Sequence, residues 1–517
     1  MTTGPLPHVT TSRLGDLSAD QAEGLPRSVQ SYIDQTPFWP DGTPTVSVPL
    51  TRMQWRIWVL ATAGKFFEGL VVFMTGVALP LVVKEFGLSA AEKGIVSAAP
   101  LAGIMVGAIA LGGLADIYGR RRMFVVEMIV FAVFLVGLAW SPSFPLLVVF
   151  LIGVGLALGC DYPTAHLMIS ESIASKDRGM VVLSAFAFQA VGALVGTAVG
   201  YLILANMPEL GAWRWMYATA ILPAVMVIVG RLSISDSGHW LLSQGRKAEA
   251  EREVTRLLAR RPPYPRQVRL AELTARDRQI AGKAREQGWR QLFTRPVRRA
   301  TILASVPWFL QDISTYGIGI FTPTILARAL GHEIDNAHNI AAVISRDMMA
   351  AKGAALLDVL LIVGIVAAVL LTDRLGRIRL QILGFIGCAA GLALAALSLQ
   401  ATEPWRSLLL FGGFTLYNFM TNMGPNAQTY LLAGEVFPTS IRGRGAGFAA
   451  AFAKIGAVAT AFLFPVLLVH VGTGLLLAIL VATSLMGAWV TWQFRIETSQ
   501  VNLEELGRRA QIDGRPA

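Results

Sequence analysis

Charged residues are scarce in this sequence. Only 15% of its 517 residues are Asp, Glu, Lys or Arg, whereas 54% are hydrophobic. Cysteine is scarcer still, and both copies, Cys160 and Cys388, lie inside apolar stretches, where a small, soft side chain packs well and neither a disulfide nor a metal site is implied. Outside the apolar stretches, no segment is long enough or apolar enough to bury a core of its own. These shortages exclude a set of soluble domains, and no metal or other cofactor is expected.

What the sequence does contain is a series of long apolar runs, each of about 20 residues, the length that crosses a bilayer as a helix. We predict an all-α polytopic membrane protein of about twelve transmembrane helices in two six-helix pseudo-symmetric bundles. The predicted spans are 57–83, 94–117, 123–140, 144–170, 179–205, 213–232, 298–326, 350–372, 379–399, 406–431, 444–468 and 472–494.

The net charge of +11 raises the question of a nucleic-acid partner, and the positions of the basic residues answer it. "IYGRRR" (117–122), "DRLGRIR" (373–379) and "IRGRG" (441–445) fall in alternate short loops, whereas opposite loops such as "SPS" (141–143) carry no Lys or Arg. This is the positive-inside pattern, which explains the charge without nucleic acid. It predicts a multi-pass protein of the plasma membrane with both termini cytoplasmic and lipid as its surroundings.

The segments outside the spans define the remaining organisation. Residues 1–50 form a predicted cytoplasmic N-terminal tail, mostly disordered from its composition, and 495–517 a cytoplasmic C-terminal tail. The bundles cover 51–232 and 298–494. Between them lies a cytoplasmic central loop, 233–297, in which "RKAEAEREVTRLLARR" has helical spacing. We interpret this stretch as a solvated linker helix near anionic headgroups, with docking of a partner as the alternative.

An internal repeat supports the division into two halves. "DIYGRR" (116–121) follows the second span of the first half, and "DRLGRI" (373–378) follows the second span of the second half. The first copy, together with Gly103 upstream, resembles the loop signature of the major facilitator superfamily. The resemblance implies that these residues act at a cytoplasmic gate between the bundles; the predicted gating residues are Gly112, Asp116, Gly119, Arg120, Asp373 and Arg377.

A second resemblance is narrower. "GCDYPTAHLMISE" (159–171) is similar to the fourth-helix signature of phosphate:proton symporters, "WFLQDISTYG" (308–317) to their seventh helix, and "MGPN" (423–426) to their tenth. Carried over position by position, this resemblance implies a substrate site made of Tyr162, Gln189, Trp308, Asp312, Tyr316, Asn426 and Lys454.

The chemistry of these residues agrees with such a site. Trp308, Asp312 and Tyr316 recur every four residues and therefore project from one face of a helix. A carboxylate that faces lipid is expensive, so this face belongs in the bundle interior. Hydroxyl, amide and indole groups supply donors for an oxyanion, and each of them alone is equally well explained as a contact between helices.

Three buried carboxylates are candidates for proton coupling: Asp312, Asp161 and Glu68. Burial raises the proton affinity of a carboxyl group, and we favour Asp312 because its charge would lie beside the bound anion. Lys65 offers an alternative for Glu68, since a lysine three residues away can pair with the carboxylate and hold its charge. His166 is better explained as a packing residue than as a proton relay.

These residues predict a proton-coupled symporter that works by alternating access, with inorganic phosphate as the first choice of solute. The alternative within the same superfamily is a proton symporter of a small organic solute, a sugar or an aromatic or other organic acid, because "SDSGHWLLSQGR" (235–246) is similar to a motif of sugar and metabolite carriers. A non-transporting nutrient receptor and a membrane enzyme are less favoured. The oligomeric state is left open, a monomer included.

Overall fold

The fold is built entirely from helices in a computed structural model that describes residues 26–35, 50–111, 114–174, 178–260, 268–271, 288–329, 340–437 and 441–498. The helices of the first half are α1 (Val29–Asp34), α2 (Arg52–Phe86), α3 (Ala90–Val106, continued by a π-turn at Gly107–Leu111), α4 (Leu114–Tyr118), α5 (Arg120–Ala139), α6 (Phe144–Ser170), α7 (Arg178–Phe186), α8 (Phe188–Asn206), α9 (Ala212–Ala218) and α10 (Ile221–Leu232).

The central segment and the second half follow. Their helices are α11 (Gly238–Ser243), α12 (Lys247–Leu257), α13 (Arg295–Ala329), α14 (Ile340–Leu375), α15 (Arg377–Leu397), α16 (Trp405–Met423), α17 (Pro425–Glu435), α18 (Arg442–His470) and α19 (Gly472–Gln493). α7–α8, α9–α10 and α16–α17 each form one interrupted span, so the described residues contain a helix or helix pair at every predicted span. Ten of these spans are long and apolar enough to cross a membrane.

The helix ends follow from local sequence. Thr51 and Gln54 form a capping box at the start of α2, and Ser89 and Glu92 form another at the start of α3. In each box the hydroxyl accepts from the third helical N–H, and the longer side chain accepts from the N-cap N–H. These contacts satisfy backbone donors that have no partner within the helix. The second box begins α3 only a short turn after α2 ends.

Close helix contacts position the residues that face the centre. A side chain at Gly69 of α2 would meet the backbone oxygen of Gln189 on α8, and one at Gly192 would meet the backbone of Phe66. The absence of a side chain at both positions lets α2 and α8 touch backbone to backbone, as small residues do in membrane helix pairs. Glu68 precedes Gly69 on α2, so this contact places Glu68 and Gln189 at the same level of the bundle.

We use the term basic end for the end of the bundle at which residues 119–122 and 376–379 lie. Gly119 and Gly376 begin α5 and α15 there, with φ of 105° and 88°. Residues with a side chain rarely adopt such angles, so glycine is required at both junctions. The repeat that the sequence predicted therefore corresponds to a repeated backbone conformation.

Two segments outside the spans pack more closely than their composition indicates. Residues 26–35 belong to the tail that was predicted to be mostly disordered, but Val29, Tyr32 and Ile33 of α1 are buried. They pack with Trp240 and Val254, so α11 and α12 are docked on the basic end and are not merely a solvated linker. Apolar residues at every third or fourth position of α1, too few to stand out in a tail of this composition, explain the difference.

Replacing either junction glycine tests the repeated conformation. We expect Gly119→Ala and Gly376→Ala each to lower the stability of the protein by about 1–3 kcal/mol, because a side chain strains this backbone region. Gly211→Ala is the matched control: Gly211 has a helical φ of −71° and open space around it. The measurement is thermal unfolding of the purified protein in one detergent, and equal unfolding temperatures for all three variants would contradict the expectation.

Candidate functional site

The centre of the molecule contains a cluster of charged and phenolic side chains from both halves. Glu68 of α2 accepts hydrogen bonds at Oε1 from the hydroxyls of Tyr162 (2.6 Å) and Tyr316 (2.8 Å). Its Oε2 accepts from Lys65 Nζ at 3.0 Å. Because Tyr316 lies on α13 and the other three lie on α2 and α6, this carboxylate joins the two bundles.

Lys454 of α18 completes the central cluster. Its Nζ donates to Asp312 Oδ2 at 3.0 Å and to the Tyr316 hydroxyl at 2.7 Å, and it lies 3.7 Å from Glu68 Oε1. All of these side chains are buried. The lysine therefore does not extend toward the membrane surface but meets the carboxylates at the depth where charge is most expensive.

The charges of the central cluster balance. Two ammonium groups, Lys65 and Lys454, face two carboxylates, Glu68 and Asp312, and the ammonium of Lys65 also lies over the ring of Tyr162. Burial makes an uncompensated ion costly, and pairing removes most of that cost. The consequence is that neither lysine offers an unmatched positive charge to a solute.

A small cavity lies beside this cluster, between the bundles. Its volume is about 20 Å³, room for about one water molecule. Amide, hydroxyl and aromatic side chains dominate its polar lining. The residues around it are Phe73, Gln189, Ala190 and Ala193 from the first bundle, and Thr315, Tyr316, Gly319, Leu361, Tyr417, Asn418, Thr421, Asn422 and Asn426 from the second.

The amides at the cavity form a chain of hydrogen bonds. Gln311 Nε2 donates to Asn426 Oδ1 at 3.1 Å, and Asn426 Nδ2 donates to Asn422 Oδ1 at 2.5 Å. Gln189 Nε2 reaches the Tyr316 hydroxyl at 3.4 Å, while its Oε1 has no hydrogen-bond partner among the described residues. Side-chain amides both donate and accept, which suits a solute that carries hydroxyl groups.

The bundles touch on both sides of the cavity. Toward the basic end, Phe186 of α7 stacks on Tyr430 of α17 with ring centroids 4.5 Å apart. Toward the opposite end, a side chain at Gly76 of α2 would collide with the backbone oxygen of Ile320 on α13. The conformation is thus occluded, and a solute larger than water requires the halves to part.

A second charged cluster lies within the first bundle. The guanidinium of Arg231, fully buried, donates to Asp161 Oδ1 at 2.6 Å and to Glu127 Oε1 at 2.9 Å. Asp161 fits against Gly64, where a side chain would occupy the position of its carboxylate. Here two carboxylates share one cation, so the cluster carries an excess negative charge unless it binds a proton.

The predicted gating residues form two matching arrangements at the basic end. Arg120 pairs with Glu171 at 3.4 Å, and Arg377 pairs with Glu435 at 3.3 Å. Gly112 lies outside the described residues, as do the side chains of Asp116 and Asp373. The two arginines that are described connect the third and fourth spans of each half.

Each arrangement also includes an acid and a hydroxyl from an adjacent segment. Ser237 donates to Glu171, and Asp236 accepts from the backbone N–H of Arg121. In the second half Thr498 donates to Glu435 at 2.5 Å, and Glu497 accepts from the backbone N–H of Arg377 at 3.1 Å. The repeat thus extends to the segments that follow α10 and α19.

The predicted substrate and proton-coupling residues do not all lie together. Glu68, Tyr162, Asp312, Tyr316 and Lys454 meet in the central cluster. Gln189 and Asn426 line the cavity next to it. Trp308 is buried, and its ring centroid lies 6.1 Å from that of Tyr430, so it does not line the cavity. Asp161 belongs to the second cluster.

Several residues of these clusters were missed in the sequence. Glu127, Arg231 and Gln311 each stand in an apolar run, in "FVVEMIV", "VIVGRLSI" and "WFLQDI". An ionisable or amide side chain at such depth is the signal that would have found them. His166 packs edge-on against the ring of Tyr430.

Comparison with known proteins identifies the family. Residues 57–509 match the model of the "Sugar (and other) transporter" family. The chain belongs to this family. Among curated relatives, the inner membrane metabolite transport protein YgcS of Escherichia coli K12 is 29% identical over 462 residues, covering 89% of this chain and 95% of the relative. The niacin transporter NiaP of Acinetobacter baylyi is 26% identical over 425 residues, covering 82% and 88%.

The fold is also that of solved transporter structures. The proton:xylose symporter XylE of the major facilitator superfamily matches with a TM-score of 0.72 at 20% identity, over 88% of this chain and 98% of that one. The predicted major facilitator fold is thereby confirmed, and the chain is a membrane transporter and not an enzyme. The narrower resemblance to phosphate:proton symporters is not supported. The matched family is described as "Sugar (and other) transporter", and two relatives are named as metabolite transport proteins.

A double-mutant cycle tests whether the central ions depend on one another. We expect Lys454→Met or Asp312→Asn alone to lower the free energy of unfolding by about 3–5 kcal/mol, because each leaves a buried charge uncompensated. The double variant should lose clearly less than the sum of the two. The exposed pair Arg246–Glu249 is the control, where Arg246→Met should leave the unfolding transition nearly unchanged. Additive losses at the central pair would contradict the charge balance.

Proposed function

We propose that this transporter is a proton symporter of a small polar organic solute, such as a sugar or a related metabolite, and works by alternating access. The observation that carries the proposal is the charge balance of the central cluster. A compact oxyanion needs at least one positive charge beyond those already matched, and both lysines of the cluster are matched by carboxylates. The amides and hydroxyls that remain suit a neutral or weakly charged solute.

The names of the relatives support an organic solute. Besides the niacin transporter and XylE, a glucose transporter of Staphylococcus epidermidis, GlcP, is 25% identical over 460 residues. Each of these proteins is named for an organic molecule with polar groups. The phosphate first chosen from the sequence depended on Lys454 as an available cation, and its contacts with Asp312 and Tyr316 remove that argument.

Movement of the solute follows from the occluded conformation. Separation of the Phe186–Tyr430 contact would open the cavity to the basic end, and separation of α2 from α13 near Gly76 would open it to the opposite end. From the distribution of Lys and Arg we propose that the protein lies in the plasma membrane with its basic end, and both termini, in the cytoplasm.

The coupling proton is assigned to the second cluster. Asp312 and Glu68, two of the predicted coupling residues, are each matched by a lysine, so a proton on either would leave an ammonium group uncompensated. Asp161, the third, shares Arg231 with Glu127, and a proton there removes the excess negative charge. We therefore propose that the Asp161–Glu127 pair takes up and releases the proton.

An uptake screen tests the solute class. In proteoliposomes with an inward proton gradient, we expect saturable uptake of at least one of a pentose, a hexose and nicotinate, and no saturable uptake of inorganic phosphate. Gln189→Ala and Asn426→Ala should weaken uptake, because a lost hydrogen bond to a solute costs about 0.5–1.5 kcal/mol. Saturable uptake of phosphate alone would return the function to the first interpretation of the sequence.

The coupling assignment has its own test. Asp161→Asn and Glu127→Gln each leave Arg231 with one carboxylate, so no proton is needed for balance. We expect both variants to lose gradient-driven accumulation of the transported solute while they still exchange it between compartments of equal pH. Glu209→Gln, exposed at the opposite end, is the control. Accumulation at the wild-type level in both variants, together with its loss in Asp312→Asn, would move the proton to Asp312.

A further inference from the structure

A further buried carboxyl group, outside both charged clusters, lies where the two bundles meet. Asp358 of α14 is 6% exposed, and its Oδ2 is 2.9 Å from the hydroxyl of Thr197 on α8. Leu361 and Ala193, one helical turn away on the same two helices, line the central cavity. Since Thr197 follows Ala193 on a helix that runs toward the opposite end, this contact closes the cavity on that side.

The hydroxyl of Thr197 faces two hydrogen-bond acceptors. Its hydroxyl has one hydrogen but lies within hydrogen-bond distance of two acceptors, Asp358 Oδ2 and, at 3.0 Å, the backbone oxygen of Ala193. The bond from a threonine hydroxyl to the carbonyl four residues earlier is common in helices. When that bond forms, the contact with Asp358 is a hydrogen bond only if the carboxyl group carries a proton and donates it.

In the described part of the chain, no cation pairs with Asp358. Among the described residues it has no ion-pair partner, unlike Asp161, Glu68 and Asp312. An isolated buried carboxylate is far more costly than a neutral carboxyl group with one hydrogen bond. The neighbouring helices carry other titratable groups, but none of those in the described part of the chain contacts Asp358. They are Lys65 and Glu68 on α2, Tyr201 on α8, Asp312 and Tyr316 on α13, and Tyr417 on α16.

We propose that Asp358 is a second proton-binding residue, which couples protonation to closure of the cavity at the opposite end. While α8 and α14 are in contact, Asp358 is neutral and donates to Thr197. When the helices part there, water reaches the carboxyl group, and it releases its proton to the solution on that side. Acid on that side therefore favours the closed gate. The proposal rests on the alternating access proposed above, but on neither the identity of the solute nor the assignment of the coupling proton.

Infrared difference spectra of the full-length protein in nanodiscs, recorded without solute, test the protonation directly. In the closed conformation we expect the carbonyl stretch of a protonated carboxyl group that Asp358→Asn removes. Thr197→Val should shift this band to higher frequency, because the carboxyl group loses its hydrogen-bond acceptor. The spectrum of Glu209→Gln serves as the control. Absence of any band that depends on residue 358 across about pH 5–9 would overturn the proposal.

Distances between spin labels test the link to the gate. Labels at Asn206→Cys and Glu403→Cys, in a background that carries Cys160→Ser and Cys388→Ser, report the separation of the bundles at the opposite end. With Asp358 present, we expect the distance between the two labels to shorten as the pH falls. Asp358→Asn should give short distances at every pH, and Thr197→Val should move the transition to lower pH.

Asp358→Asn and Thr197→Val test the same hydrogen bond from its two sides, so either variant alone is sufficient for the test. An unchanged pH-dependence of the label distances in Asp358→Asn, or in Thr197→Val if the first variant does not fold, would overturn the link to the gate. Because no solute is present in either experiment, a failed uptake screen leaves these results unaffected. Conversely, normal gating by Asp358→Asn leaves the proposed symport intact.

Discussion

The contact of Lys454 with Asp312, and through Tyr316 with Glu68, is the interaction on which the centre of this transporter depends. It joins α18 and α13 of one bundle to α2 of the other, at a depth where an unmatched ion is costly. Because the charges cancel, the adjoining cavity presents amides and hydroxyls to a solute and no net charge. The same balance is the reason why we propose proton exchange at Asp161 and Glu127, where the charges do not cancel.

Much of the fold was predictable because its signals are local. Apolar length indicated the spans, and the repeated "GR" junctions indicated two related halves. The spacing of Trp308, Asp312 and Tyr316 predicted one inward face, although Trp308 lies a layer away from the cavity. Short amphipathic segments were harder: α1 was missed because three apolar residues in six are too few to stand out from a polar tail.

The partners of the buried charges were not predictable, since they depend on distances between residues far apart in the chain. Asp312 and Lys454 are separated by 142 positions, and Asp161 and Arg231 by 70. A list of residue types shows a lysine available for an anion, whereas the structure shows that lysine already occupied. The apparently available lysine is why the sequence favoured phosphate. The occupied lysine, the amides of the cavity and the names of the relatives together favour an organic solute.

The matching arrangements at the basic end assign unequal roles to the two segments that follow α10 and α19. In the first half, the acid and the hydroxyl that cap the junction come from residues 236–237, which are fixed at both sides by helices. In the second half they come from Glu497 and Thr498, directly after the last helix. A shortened version of the chain that stops at the membrane would keep all of its spans but lose one of the two caps, so the boundary of an expression fragment belongs beyond Thr498.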